Sequence, residues 1–310
     1  MVKTIKKAVL KYAEIQNHSF CNAGCLMCPY SCTSKMFPMG KMKNKLFQKI
    51  VAQLAKDFPT LRNISIMLQN EPLLDKNIYE KILFTAKKRD QFKRKFTIST
   101  TTNGVCLTKK LLLLLEKSGL DILNISLTPT NNKNKNLSPG INFSKIVEKI
   151  KKLPKLKKLK VCLRMVITNQ NFDDIIFFVN SKTIKKLQAK NNLKIELSAL
   201  TNRAGTLKNY SNLNLKFSNL VSPINLKNKV CFEPFHKISI LFNGDVLICC
   251  HDWKRENILG NVKNQTIKII WNNSKFKLVR KLLLNNNYLM LIPCKKCSIA
   301  KYFLSNKKIK

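Results

Sequence analysis

Cys21-Asn-Ala-Gly-Cys25-Leu-Met-Cys28 packs three thiols into eight residues. Ahead of it, Tyr12 to Phe20 alternates apolar and polar residues and predicts a first β-strand, so the thiols fall on the loop that follows a strand. A cubic iron–sulfur cluster normally takes four cysteines. Three on one tight loop leave one iron open, and an open iron is where a ligand can bind and react. A zinc knuckle or a loop of free thiols is the alternative. Zinc loops usually pair a C-x2-C with a second pair or with histidines, and this chain has only His18, His236 and His251.

A chain of 310 residues holds one large domain, or one domain with a small appendage. No apolar run approaches the roughly 18 residues that would span a bilayer, and Met1-Val-Lys-Thr-Ile-Lys-Lys lacks the apolar stretch of a signal peptide. Eleven cysteines without a secretory signal point to metal ligation in a reducing compartment, so a cytoplasmic protein with no membrane partner is expected. The net charge of +42 would suit nucleic acid or another polyanion. The lysines are spread along the chain among Asn and Ile, however, without a stripe of interleaved aromatics. Nucleic acid is therefore not the favoured partner.

Strand-like and helix-like segments alternate after the cysteine loop. Helices are expected over 43–56, 74–88, 108–118, 143–152 and 172–187, with strands over 64–68, 96–102, 121–127, 160–167 and 194–200. Thr108 is a plausible N-cap and Gly119 a helix stop. Such alternation argues for βαβ units and a parallel sheet. Six units are too few for a closed eight-stranded barrel and suit an open, partial (β/α)6 barrel, with its chemistry at the carboxyl ends of the strands. Residues 206–230 are polar and contain Pro223, as in a linker. Beyond them, 237–249 reads as a hairpin around Asn243-Gly244, a helix is expected near 276–284, and Cys231, Cys249, Cys294 and Cys297 supply four ligands, enough to close a second cluster. Cys250 could replace Cys249, and a structural zinc site would use the same thiols. Cys32, Cys106 and Cys162 read as buried apolar thiols.

The C-x3-C-x2-C near the N-terminus resembles the signature of the radical S-adenosylmethionine (SAM) enzymes. The later set, with Phe232-Glu-Pro234, Gly244 and Trp271, resembles their SPASM and twitch domains. The resemblance implies a partial (β/α)6 TIM-like barrel over 1–205, a linker over 206–230 and a small α+β auxiliary-cluster domain over 231–310. It implies that Cys21, Cys25 and Cys28 hold a SAM-binding [4Fe–4S] cluster, that Cys231, Cys249, Cys294 and Cys297 hold an auxiliary one, and that a reduced flavodoxin- or ferredoxin-type protein donates electrons. Among family segments, Gln69-Asn-Glu71-Pro72 stands where Gly-Gly-Glu-Pro is common, so Glu71 would meet the SAM amino group. Asn103 belongs to a Thr-Asn-Gly turn, and Ser126 matches a ribose-binding position. Met27 takes the place of an aromatic that packs against adenine. Arg164 is a candidate partner of the SAM carboxylate, and Arg203 a candidate catalytic residue on the substrate side.

Cleavage of SAM to a 5′-deoxyadenosyl radical is the implied chemistry. A closed second cluster suits electron transfer, so dehydrogenation of a sugar or cyclitol is the leading expectation. Peptide or protein side-chain modification, as in sulfatase maturases, is the alternative, and an RNA-directed protein a third.

Overall fold

The computed structural model describes residues 8–130, 135–191, 193–213 and 230–305. Nine strands form one sheet, in the order β6-β5-β4-β3-β2-β1-β7-β8-β9: β1 Tyr12–Ile15, β2 Asn63–Ser65, β3 Thr97–Thr102, β4 Ile122–Leu127, β5 Lys160–Ile167, β6 Lys194–Ala199, β7 Lys237–Ile240, β8 Asp245–Leu247 and β9 Ile258–Asn261. The first six pair in parallel, each joined to the next by a helical crossover. β1 is shorter than the alternation predicts and ends at Ile15, although Gln16 N–H still donates to Ile240 O of β7 at 2.9 Å.

Successive residues of a strand point to opposite faces, and parallel partners in register share a face. Ala13, Ile64, Ile98, Leu123 and Leu163 lie on the helix side in one apolar core. Phe47, Ile50, Val51, Leu54 and Ala55 reach the same core from the helix Asn44–Asp57, at the 3.6-residue spacing of an amphipathic helix. Thr108 Oγ1 accepts from Leu111 N–H at 3.1 Å to open the helix Lys109–Lys117, and Gly119, at φ +91°, closes it. The helix expected over 172–187 is two, Phe172–Asn180 and Lys182–Asn191. Ser181 is extended between them and its hydroxyl accepts from Ile184 N–H, which starts the second.

The C-terminal part does not stand apart from the first. β7 lies parallel to β1, with Tyr12 opposite Lys237 and Ile15 opposite Ile240, so the sheet runs from one part into the other. The predicted hairpin is present as β7 and β8, with Gly244 at φ +93°, and β9 adds a third strand. Of the expected linker, 206–213 carries a helical turn at Tyr210–Leu213, and 214–229 lies outside the described residues. Among the described residues, no helix is long and apolar enough to cross a membrane.

Candidate active site

The loop that carries Cys21, Cys25 and Cys28 leaves the carboxyl end of β1 and is held by its neighbours. Cys21 N–H donates to Tyr30 Oη at 2.7 Å, and Cys28 N–H to Cys25 O at 3.0 Å. The segment 137–140 runs alongside, with Gly24 N–H donating to Pro139 O and Leu26 N–H to Leu137 O, both at 2.9 Å. Gly140 permits this approach: it sits at φ +87°, and a Cβ there would lie 2.6 Å from Asn22 O. Gly140 stands in a polar stretch with no strand or helix pattern around it, so sequence reasoning passed over it.

Burial pushes the Cys21 thiol up to about 11 and Cys28 to about 12, and charge on each neighbouring thiol adds to the rise. Cys25 is raised by burial as well. Three thiols sharing one desolvated field are costly to ionise without a compensating positive group, and iron ions supply one. Among the described residues, no three His, Cys, Asp or Glu side chains converge tightly enough for one metal ion. A cube does not require that, since each thiolate binds a different iron. The donor set fits a cluster.

Glu71, just beyond β2, is buried. Its Oε1 accepts from Thr102 Oγ1 at 2.7 Å and Leu73 N–H at 3.0 Å, and its Oε2 from Asn103 N–H at 2.7 Å. Burial raises its pKa, and these hydrogen bonds withdraw part of the rise. Three bonds leave one of roughly four acceptor positions free. Asn103 Nδ2 reaches Asn22 Oδ1 in the cysteine loop at 2.8 Å. Gln69 stands at φ +55°, the backbone a glycine would adopt there, and its Nε2 donates to Cys250 O at 3.1 Å. Met27 packs into a cluster with Leu137, Leu200, Leu207 and Leu213.

Ser126 and Arg164 are register partners on the inner face of the sheet. Arg164 Nε donates to Glu196 Oε2 at 2.7 Å, an ion pair that is about half exposed (47% and 53%). Arg203 has the strained φ of +49°, and its Nε is buried with no partner among the described residues. Its charge acts on Cys28 of the N-terminal loop and on Cys250 and His251 of the C-terminal part.

Cys231, Cys249, Cys294 and Cys297 all border the main apolar core, whereas Cys250 packs against Leu68, Leu241 and Leu247. Burial raises all four, Cys294 to about 12, and Cys249 feels charge on Cys250 first, then on Cys294 and Cys231. Cys250 instead feels Glu14, Lys237 and Glu233. By packing alone, Cys249 lies with the other three on the main core and Cys250 on the smaller cluster. Cys32 and Cys106 are half-buried and Cys162 buried.

The profile of the radical SAM superfamily matches residues 18–180, and that of the SPASM iron–sulfur cluster-binding domain matches 231–298. The chain is 26% identical over 286 residues to the S-adenosyl-L-methionine-dependent 2-deoxy-scyllo-inosamine dehydrogenase of Niallia circulans, across 92% of this chain and 91% of that protein. It is 31% identical over 172 residues to a GTP 3′,8-cyclase of Limosilactobacillus fermentum, across 54% of this chain and 49% of that one. In fold it is similar to BtrN in complex with AdoMet and 2-DOIA (TM-score 0.65, 23% identity, 94% of each chain). It is also similar to Streptococcus suis SuiB bound to precursor peptide SuiA (TM-score 0.66, 17% identity, 88% of this chain and 67% of that one).

Proposed function

The chain belongs to the radical SAM superfamily and carries an iron–sulfur cluster-binding domain, and from that premise we propose that it dehydrogenates an alcohol carbon of a small polyhydroxylated molecule, of the sugar or cyclitol kind. The inner face of the sheet carries this reading. Glu14, Asn63, Ser99, Asn124, Arg164 and Glu196 share it, linked by register and by side-chain hydrogen bonds, and Asn124 Oδ1 is buried without a partner among the described residues. A lumen of neutral and paired polar groups suits a substrate rich in hydroxyls, because each buried polar group gains a partner on binding.

When bound, two [4Fe–4S] clusters and SAM supply a hydrogen-abstracting 5′-deoxyadenosyl radical and a one-electron acceptor. Cys21, Cys25 and Cys28 hold the first cluster, and Cys231, Cys249, Cys294 and Cys297 the second. Glu71 offers its remaining acceptor position to the SAM ammonium, while Asn103 fixes both Glu71 and the cysteine loop. Ser126 offers a hydroxyl to the ribose, and the free guanidinium nitrogens of Arg164 can meet the carboxylate. Arg203, whose charge acts on both the N-terminal loop and the C-terminal part, orients the substrate hydroxyl by donating to it. A reduced flavodoxin or ferredoxin serves the N-terminal set, and eleven free thiols suit the cytoplasm.

Oxidation of a cyclitol also agrees with the name of the dehydrogenase relative. The likeness to the peptide-bound SuiB is one of fold. Incubation of the anaerobically reconstituted protein with SAM, a reductant and a panel of aminocyclitols and sugars tests the reading. It expects one substrate to yield ketone and 5′-deoxyadenosine in equal amounts. Uncoupled SAM cleavage with every polyol, together with coupled turnover of a peptide, would overturn it.

A further inference from the structure

The C-terminal part exposes an aliphatic knuckle beside its cysteines. Tyr288 and Leu291 are buried, while Leu289, Met290 and Ile292 between and after them are 66%, 69% and 51% exposed. The knuckle is tied to two of the four cysteines: Tyr288 Oη accepts from Cys231 N–H at 3.1 Å, and Ile292 opens the short helix Ile292–Lys296 that contains Cys294. Lysines flank it, one of which, Lys296, is paired with Glu256 at 3.5 Å. Lys281 and Lys295 stand exposed on the helices either side of the knuckle, and from Asn257 to Ser305 the sequence has nine lysines and arginines and no Asp or Glu.

We propose that this knuckle is the docking surface for an acidic one-electron carrier protein, which takes up the electron left when substrate is oxidised; the proposal rests on the dehydrogenase reading. Conversion of an alcohol to a carbonyl removes two electrons and two protons. One of each leaves as the abstracted hydrogen atom. The second proton passes to solvent, and the second electron reduces the carrier by one. A small apolar centre fringed by lysines matches the weak, salt-sensitive encounters of electron carriers, which need little buried area. Nucleic acid fits the same charge less well. Stacking on bases needs exposed aromatic rings, whereas Trp271, Phe276 and Tyr288 are all buried here.

Isotope-labelled flavodoxin, chosen as an acidic carrier, titrated with the reconstituted protein tests this by chemical shift. Binding is expected to weaken as salt rises, and Leu289→Ser/Met290→Ser to weaken it about tenfold with iron content and SAM cleavage unchanged. Carbodiimide cross-links from carrier carboxylates should map to Lys281 and Lys295 and vanish in the double variant. Unchanged affinity and cross-links in that variant, or cross-links confined to the N-terminal cysteine loop, overturn the proposal. So does tighter binding of a polyuridylate at the same knuckle. A protein that docks the carrier but oxidises no polyol would sink the dehydrogenase reading and leave the surface standing.

Discussion

Asn103 sits between two parts of the site: its backbone N–H donates to Glu71 Oε2 at 2.7 Å while its side chain donates to Asn22 Oδ1 at 2.8 Å. The end of β3 thereby fixes both a buried carboxylate and the loop of Cys21, Cys25 and Cys28. A change at Glu71 therefore reaches the cysteine loop through Asn103.

Glu71→Gln keeps the shape of the side chain but removes the charge and puts an NH2 among three donors. We expect SAM affinity to fall roughly tenfold to a hundredfold and the melting temperature to fall with it, because a buried donor is left unpaired. Ser126→Ala, at an exposed position, should weaken SAM binding less and leave the melting temperature alone. Spectral titration of the reconstituted cluster with SAM measures both, and wild-type binding in Glu71→Gln would remove the glutamate from the SAM site.

Gly140→Ala puts a Cβ against the Asn22 carbonyl at a backbone angle that favours glycine. The expected outcome is loss of about four of the roughly eight irons bound after reconstitution, with the C-terminal set still loaded. Full iron content in this variant would show that the 137–140 segment does not shape the loop.

Cys249→Ser should likewise lose about four irons, and Cys250→Ser none. Equal loss in both would mean that the packing difference between these neighbours does not decide ligation. Cys294→Ala should spare uncoupled SAM cleavage while ending substrate turnover, whereas Cys25→Ala should end both.

Asp75 and Lys81 form a buried ion pair at 2.6 Å, with side chains 9% and 8% exposed, and Asn17 Nδ2 adds a hydrogen bond at 3.0 Å. Burial alone would raise the Asp75 carboxyl, but the bonds from Lys81 and Asn17 outweigh it and hold it below its ordinary value. A depressed carboxylate stabilises the fold above its unfolded pKa of about 3.9, and that contribution fades as pH falls through the folded value. The melting temperature should therefore drop below about pH 4, and drop less steeply in Asp75→Asn. Lys81→Met leaves the carboxylate unpaired and should cost about 3–5 kcal/mol at neutral pH, read by denaturant titration.

What the sequence disclosed follows from how local each signal is. Lys160–Ile167 is legible because Val161, Leu163, Met165 and Ile167 alternate with the inward residues over the whole strand. Thr108 and Gly119 mark their helix by chemistry that acts within four residues. The break at Ser181 was hidden because apolar residues continue on both sides of it. Gln69 masks a glycine-like backbone that only coordinates display. Glu71 was identifiable by its neighbours in sequence, and one of its donors, Leu73 N–H, is local, but the other two, Thr102 and Asn103, come from the end of β3 some thirty residues on. The pairing of β7 with β1 joins residues more than two hundred positions apart and leaves no periodic trace.

That pairing has a consequence for how the protein is made. Until β7 emerges from the ribosome, β1 is an open margin of the sheet, with backbone N–H and C=O groups ready to join another chain. One of the last strands synthesised covers one of the first, so a chain stopped near residue 230 is an unfinished protein with an adhesive side, not a smaller enzyme.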